Sequence, residues 1–179
     1  MPAMDGGFHK TVYAPAKLNL CLRVVGRRDD GYHDIDTVFL PLFDLRDFVT
    51  LQRHKESGVT VTSDHAGVPA GPDNICWKAA SAFAEMTGIA PAWGIHIEKH
   101  IPIAAGLGGG SSDAAAVLKA LNELYDYPCS RRQLAEIAVG VGADIPFFLE
   151  PVPARGRQRG EHLVPIEKHA AIPLAVFNP

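Results

Sequence analysis

One segment of the sequence combines glycines and serines in a pattern suited to binding phosphate. Glycine lets backbone N–H groups approach an anion closely. The start of a helix adds unpaired N–H donors and a partial positive charge, and serine hydroxyls can cap the helix or reach a phosphate or Mg²⁺. The segment, called the glycine loop below, consists of Pro102, Ile103, Ala104, Ala105, Gly106, Leu107, Gly108, Gly109, Gly110, Ser111 and Ser112.

The glycine loop differs from the two common nucleotide-binding motifs. No Gly-Lys-Ser/Thr follows it, which excludes a Walker A loop, and Ser111 stands where G-x-G-x-x-G requires its third glycine. The alternative is a flexible loop followed by an ordinary serine cap. Four glycines between residues 106 and 110, directly before a strongly helical stretch, favour the phosphate-binding interpretation.

A lone aspartate forms the second candidate. Asp144 lies among small and apolar residues in the segment Gly142-Ala143-Asp144-Ile145-Pro146. Burying such a carboxylate without a partner is unfavourable, which points to a functional or paired group. A cap or turn aspartate before proline explains the same pattern equally well, and the spacing alone does not separate the two interpretations.

Two further segments carry polar groups. Lys17 and Asn19 share one face of a predicted strand, although a lysine that opens an apolar strand is usually a solvated edge residue. Tyr32 and His33 follow Gly31 in a polar turn and offer an aromatic ring and a ring nitrogen. Taken alone, such a turn is most often surface packing.

The elements that position these residues follow from hydrophobic periodicity. Apolar residues alternate with polar ones over 18–24 and again near residues 49–51, 59–61 and 95–97, which indicates strands. Helical spacing occurs over 75–86, 114–125 and 134–141, with Asp73 or Asn74 as caps of the first and Ser130 with Gln133 as a capping box of the third. Strands followed by interleaved helices predict an α+β fold with a mostly antiparallel or mixed sheet.

Composition limits the class of protein. A chain of 179 residues with 47% hydrophobic and 21% charged residues is typical of a soluble globular protein of one domain or slightly more. A net charge of −3 argues against a nucleic-acid partner. Three cysteines without a C-x-x-C pair indicate reduced thiols, and no apolar run approaches the roughly 18 residues of a membrane span. We therefore expect a cytoplasmic protein without a membrane or nucleic-acid partner.

Taken together, the motifs resemble the GHMP kinase superfamily. More narrowly, they resemble the kinases that phosphorylate a hydroxyl of 4-diphosphocytidyl-2-C-methyl-D-erythritol in the non-mevalonate isoprenoid pathway. The resemblance extends from about residue 12 to the end of the chain. The segments that carry it are Pro15-Ala16-Lys17-Leu18-Asn19-Leu20, Asp30-Gly31-Tyr32-His33, Asp73-Asn74-Ile75, the glycine loop and Gly142-Ala143-Asp144-Ile145-Pro146.

The resemblance implies a role for each candidate residue. It implies ATP as the phosphate donor, Mg²⁺ on the phosphate oxygens with few protein ligands, and a small-molecule substrate that bears a cytidine diphosphate group. The implied roles are catalysis for Lys17 and Asp144, ATP binding for the glycine loop with Asn74 and Lys99, cytosine binding for Tyr32 and His33, and a position beside the reacting end of the substrate for Asn19.

The resemblance also implies a domain organisation. Residues 1–152 are expected to form a GHMP kinase N-terminal domain, like domain 2 of ribosomal protein S5 and with a left-handed crossover. Residues 153–179 are expected to begin a second domain, because members of the family continue for roughly another hundred residues. The chain is therefore interpreted as truncated, which leaves its activity open.

Three other functions are compatible with the sequence. A non-catalytic nucleotide-binding remnant and another GHMP small-molecule kinase, of the mevalonate or homoserine type, are the alternatives. RNA binding rests only on analogy with the S5 fold, and the acidic charge balance disfavours it.

Overall fold

The computed structural model describes residues 8–29, 31, 33–167, 173, 175 and 176. The prediction for Tyr32 lies outside these residues, as does much of the end of the chain. The elements, in chain order, are β1 (His9–Arg27), β2 (His33–Arg53), β3 (Gly58–Ser63), α1 (Ile75–Thr87), β4 (Ala92–Glu98), α2 (Gly109–Leu124), α3 (Arg131–Val141), α4 (Ile145–Leu149), β5 (Ala154–Gln158) and β6 (His162–Pro165).

A six-stranded mixed sheet organises the described part of the chain. The long strand β2 lies at its centre and pairs with β1 antiparallel along almost its whole length. The other edge of β2 pairs with β5 near its beginning and with β4 near its end, in both cases antiparallel. β3 lies parallel to β4, and β6 extends the sheet from β5. The predicted α+β class with a mostly antiparallel or mixed sheet is therefore confirmed.

The core lies between the sheet and the helices, and α2 runs through it. Most residues of α2 are buried, among them three consecutive alanines whose small side chains allow neighbouring elements to approach closely. Each large apolar side chain that is fully buried contributes roughly 1.5–3 kcal/mol, so α2 is firmly held. The largest fully buried side chains include Phe83, Trp93, Ile95, Ile97, Leu118 and Leu121.

The three predicted helices are present, and their caps explain where they begin. Asn74 caps α1 by accepting a hydrogen bond from the amide of Cys76. Ser130 and Gln133 form the predicted capping box of α3. Helix α2 begins at Gly109, before the apolar periodicity becomes visible, because Gly108 adopts the left-handed conformation from which the helix starts. No helix among the described residues is long and apolar enough to cross a membrane.

Strands β5 and β6 follow the predicted domain boundary. β5 pairs with β2 in a register that places Ala154 opposite Phe39 and Gln158 opposite Ile35. Residues 154–165 therefore belong to the same sheet as β1–β4. The division into residues 1–152 and 153–179 stays a prediction.

Candidate active site

A cleft of about 500 Å³ lies at the beginning of α2. The glycine loop from Pro102 to Ser111 forms much of its wall, and the beginning of α1 forms another part. Lys17 and Asp144, which are far apart in the sequence, both line the same cleft. The fold thus brings the predicted phosphate-binding loop and the predicted catalytic pair into one site.

The backbone of the loop requires glycine at two places. Gly106 and Gly108 have φ angles of 75° and 72°, in the region that glycine adopts at little cost. At Gly108 the surroundings are also closed, since an added Cβ would lie 2.8 Å from Cζ of Phe148 and 3.0 Å from Cγ of Lys17. A side chain at this position would therefore displace Phe148, Lys17 or the loop itself.

The first turn of α2 presents amides toward the cleft. The helical hydrogen bonds begin where the amide of Ser112 donates to the carbonyl of Gly108 at 2.9 Å. No side chain caps this end of α2 within the described chain. The N–H groups of Gly109, Gly110 and Ser111 precede the first helical bond and are therefore available to an anion.

Leu107 fixes the loop against β1. Its carbonyl accepts a hydrogen bond of 2.9 Å from the amide of Lys17. Its side chain is buried beside Ala16 and Ile101 in a small apolar cluster. Leu107 therefore contributes packing and a backbone contact, and it ties the position of the loop to that of Lys17.

Lys17 and Asp144 form an asymmetric ion pair. The Nζ atom of Lys17 lies 3.5 Å from Oδ2 of Asp144 and 5.3 Å from the centre of the Phe39 ring. The Lys17 side chain is 8% exposed, whereas that of Asp144 is 32% exposed. Asp144 precedes the first residue of α4 without capping it, which leaves its carboxylate free to face the cleft. The arrangement combines a sheltered cation with an accessible carboxylate.

Asn19 orients Lys17. Its Oδ1 accepts a hydrogen bond of 2.5 Å from the ammonium of Lys17. Its amide donates to Oγ1 of Thr37 at 2.7 Å, and that hydroxyl donates to the carbonyl of Cys21 at 2.6 Å. The Lys17 ammonium is thus held at the end of a chain of hydrogen bonds that crosses from β1 to β2.

The polar atoms of Asn74 and Lys99 have partners inside the protein, although both residues line the cleft. Asn74 accepts from the amide of Cys76 and donates to the carbonyl of Pro69, both at 2.7 Å. The Lys99 ammonium donates to Asp47 and to Asp113. Burial lowers the pKa of Lys99, but the two carboxylates raise it more, so its pKa lies above the usual value. Their predicted contacts with nucleotide stay predictions.

The beginning of α2 contains two buried polar atoms without a hydrogen-bond partner among the described residues. They are Oγ of Ser112 and Oδ1 of Asp113. Burial raises the pKa of Asp113 to about 7, against the opposing effect of the nearby Lys99 ammonium. Ser111 lines the cleft, whereas Ser112 faces the interior, so the two predicted hydroxyls are not equivalent.

The predicted cytosine-binding residues lie away from this cleft or outside the described residues. His33 is exposed at the first position of β2, opposite Arg27, whereas Lys17 is opposite Pro41. At ~3.3 Å per residue, the eight residue steps from His33 to Pro41 separate the two positions by roughly 26 Å along the strand, and His33 is not among the residues that line the cleft. His33 and Lys17 therefore lie on the same hairpin but not in contact, and the binding role of His33 stays a prediction.

Sequence reasoning did not identify Asp47 or Asp113 as site residues. Asp47 is fully buried on β2 and holds the segment that leads into the glycine loop. A signal existed, because Asp47 shares a strand face with Val49 and Leu51, both core residues. A carboxylate on an apolar face requires a partner, but the sequence does not indicate which one.

Whether this site can hold Mg²⁺ depends on the oxygen atoms that it offers as ligands. Among the described residues, no group of three or more His, Cys, Asp or Glu side chains could hold a metal ion. The cleft is lined by the carboxylates of Asp73, Asp113 and Asp144 and by the Ser111 hydroxyl, and the buried Ser112 hydroxyl has no partner among the described residues. Two of the three carboxylates are already paired, Asp113 with Lys99 and Asp144 with Lys17. This sparse oxygen set suits an ion that keeps waters and binds mainly through substrate phosphates.

Part of the chain matches a known protein family. Residues 74–150 match the family described as GHMP kinases N terminal domain. This part of the chain is therefore similar to the N-terminal domain of GHMP kinases, the family that the sequence motifs resemble.

Individual relatives are more specific. The chain is 45% identical over 169 residues to the 4-diphosphocytidyl-2-C-methyl-D-erythritol kinase of Geobacter metallireducens, a match that covers 94% of this chain and 60% of that protein. It is 46% identical over 160 residues to the protein of the same name from Saccharopolyspora erythraea, covering 87% of this chain and 50% of the relative. The chain thus spans about half to three-fifths of the length of these curated relatives.

Solved structures agree with this result. A crystal structure of 4-(cytidine 5'-diphospho)-2C-methyl-D-erythritol kinase superposes with a TM-score of 0.74 at 41% identity, covering 88% of this chain and 55% of that one. The Methanococcus jannaschii mevalonate kinase superposes with a TM-score of 0.67 at 16% identity, covering 93% of this chain and 57% of that one. The second similarity concerns the fold alone.

Proposed function

We propose that this chain binds ATP in the glycine-loop cleft and supplies the Lys17–Asp144 pair of a kinase that phosphorylates a hydroxyl of 4-diphosphocytidyl-2-C-methyl-D-erythritol. The observation that carries the proposal is that the 3.5 Å ion pair lines the same cleft as the open amides of α2. The names of the relatives that are more than 40% identical support the choice of substrate.

ATP binding follows from the first turn of α2. A net contribution of about 1.5–3 kcal/mol is typical of a hydrogen bond to a charged oxygen. The amides of Gly109, Gly110 and Ser111 can supply three such bonds, and the helix dipole adds to the attraction. These groups are fixed before ATP arrives, because α2 is buried along most of its length.

The transfer step uses the asymmetry of the ion pair. The exposed Asp144 carboxylate orients the substrate hydroxyl and accepts its proton. The hydroxyl oxygen forms a bond to the γ-phosphorus as the bond from that phosphorus to the β–γ bridging oxygen breaks, and ADP leaves. The Lys17 ammonium neutralises charge on the transferred group. Because a loose transition state demands little of a base, positioning and charge neutralisation supply most of the rate enhancement.

Mg²⁺ belongs to the proposal as an ion held mainly by the nucleotide. When bound, it neutralises charge on the phosphate oxygens. Of the oxygen groups that line the cleft, Asp144 and Ser111 would contact it, whereas the Asp113 carboxylate is held by Lys99. Their small number is consistent with an ion that arrives on ATP.

A cytoplasmic location completes the proposal. Cys21, Cys76 and Cys129 are free thiols. Unpaired cysteines are typical of a reducing compartment, where ATP and small-molecule kinases also occur.

Two measurements on the chain test the proposal side by side. Calorimetric titration with ATP measures binding, and phosphoryl transfer is followed with 4-diphosphocytidyl-2-C-methyl-D-erythritol, mevalonate and homoserine as acceptors. Transfer to the cytidine-bearing substrate alone is the expected result. Transfer to another acceptor refutes the substrate, and absence of ATP binding refutes the cleft.

A nucleotide-binding remnant is the second candidate function. It is favoured by the position of His33, which is not among the residues that line the cleft containing Lys17 and Asp144. The same pair of measurements separates the candidates, because a remnant binds ATP without transferring its phosphate to any acceptor.

A further inference from the structure

A carboxylate buried in β2 holds the segment that precedes the glycine loop. Asp47 is fully buried, and its Oδ1 accepts hydrogen bonds from the amides of His100 at 2.6 Å and Ile101 at 2.8 Å. Its Oδ2 accepts from the ammonium of Lys99. All three donors belong to residues 99–101, directly before the loop. A buried charge is tolerated when it is paired and hydrogen-bonded, and Asp47 meets both conditions.

Lys99 extends this contact to the other end of the loop. Its ammonium donates to Asp113 at 2.9 Å as well as to Asp47, and its side chain is only 5% exposed. Asp113 lies in the first turns of α2, directly after the loop. One buried cluster therefore connects the strand beneath the loop with the residues on both sides of it.

The loop backbone rests on the same cluster. A Cβ added to Gly109 would lie 3.0 Å from Nζ of Lys99 and 3.3 Å from Oδ2 of Asp47. Gly109 is also the first of the residues whose amides are available to an anion. The position of these amides relative to the core therefore depends on the side chains of Lys99 and Asp47, which lie directly against Gly109.

We infer that Asp47, Lys99 and Asp113 form a buried anchor that positions the glycine loop for phosphate binding. They act as positioning residues, through the amides of Gly109, Gly110 and Ser111, and the inference rests on the proposed ATP-binding function. Lys99 accordingly contributes to nucleotide affinity from beneath the loop, because its ammonium is occupied by two carboxylates.

The first test removes the ion pair between Lys99 and Asp113, which connects the cluster to α2. Asp113→Ala leaves the Lys99–Asp47 pair intact and introduces a residue that favours helix, next to Ala114. We expect ATP to bind at least fivefold more weakly to this variant in calorimetric titration, at a temperature where its circular dichroism shows it to be folded. An affinity within twofold of the unmodified chain would overturn the inference.

Asn122→Ala is the matched control. Asn122 is a buried polar residue on the same helix, and its side chain makes two hydrogen bonds to Cys129, at the far end of α2 from the loop. Its loss should lower the melting temperature and leave the ATP dissociation constant within twofold. Equal weakening of ATP binding in both variants would show a general loss of stability and would also overturn the inference.

Hydrogen exchange without nucleotide separates the anchor from the proposed function. The amides of Ser112 and Lys17 are protected by bonds to the loop carbonyls of Gly108 and Leu107. In Asp113→Ala, both should exchange at least fivefold faster than in Asn122→Ala. If the unmodified chain fails to bind ATP, the proposed function is wrong, and unchanged exchange at these two amides then refutes the anchor separately.

Discussion

Alanine at Gly109 tests how closely the loop rests on the anchor. The added Cβ would lie 3.0 Å from Nζ of Lys99, 3.1 Å from Cγ2 of Ile101 and 3.3 Å from Oδ2 of Asp47. A free lysine would swing away at little cost. Here two buried carboxylates hold the ammonium, so the clash must be relieved by moving the loop or the anchor.

The magnitude follows from two opposing effects. Overpacking a closed site costs typically about 1–3 kcal/mol. Replacing glycine by alanine within a helix raises the free energy of unfolding by about 0.5–1 kcal/mol. The φ angle of Gly109 is not positive, so no backbone strain adds to the balance. The difference lies between 0 and about 2.5 kcal/mol. We expect Gly109→Ala to lower the free energy of unfolding by about 1 kcal/mol, near the middle of this range, which corresponds to a melting temperature lower by roughly 2–4 °C.

Gly110→Ala is the control for this experiment. The nearest atom to its added Cβ is Cγ2 of Ile75 at 3.6 Å, an ordinary van der Waals distance. Only the higher helix propensity of alanine remains, so the free energy of unfolding of this variant should rise by about 0.5–1 kcal/mol. Urea unfolding monitored by circular dichroism, without ATP, measures both changes. If the two variants change stability in the same direction, the close contact at Gly109 is refuted.

Three further predictions concern single side chains. Asp144→Asn should reduce phosphoryl transfer at least a hundredfold with ATP affinity nearly unchanged, and turnover within a few-fold of the unmodified chain would contradict its role. Because burial raises the pKa of Asp113 from its ordinary value of 3.8 to about 7 in the folded chain, the folded state binds an extra proton between about pH 4 and pH 7. Urea unfolding of the unmodified chain should therefore show stability falling, relative to Asp113→Asn, as pH rises from about 4 to about 7; a pH-independent difference would contradict this. Asn74→Ala should cost about 0.5–2 kcal/mol in urea unfolding through loss of the α1 cap, whereas a cost below that range would contradict the capping role.

Local patterns were sufficient to predict most elements of this fold. The alternation over Leu18–Val24 lies within β1, and the helical spacing after Asn74 corresponds to α1. Such elements depend on neighbours in the sequence, which a periodicity analysis detects. The helix was predicted to begin directly after the glycine loop, whereas α2 begins within the loop, at Gly109. The difference arises because Gly109 and the serines carry no apolar periodicity and because the start depends on the conformation of Gly108.

Two kinds of residue in the candidate site could be predicted from the sequence: those that belong to a local motif and those to which the family resemblance assigns a role. The glycine loop could be predicted because all its residues lie in one segment of the sequence. The catalytic roles of Lys17 and Asp144 were predicted from the family resemblance. The anchor combines residues 47, 99 and 113 from a strand, the segment after another strand, and a helix. Their mutual contact depends on the pairing of β2 with β4 and on the packing of α2, which no spacing in the sequence specifies.

The two lysines of the cleft illustrate why the same residue type can serve different purposes. Lys99 donates to two buried carboxylates, so its charge is already balanced before a nucleotide arrives. Lys17 has a neutral amide, an aromatic ring and one carboxylate at 3.5 Å, and that carboxylate is partly open to solvent. In the proposed reaction, we therefore expect Lys17 to stabilise phosphate charge more than Lys99 does. This difference in pairing is the physical reason for assigning transfer chemistry to Lys17 and positioning to Lys99.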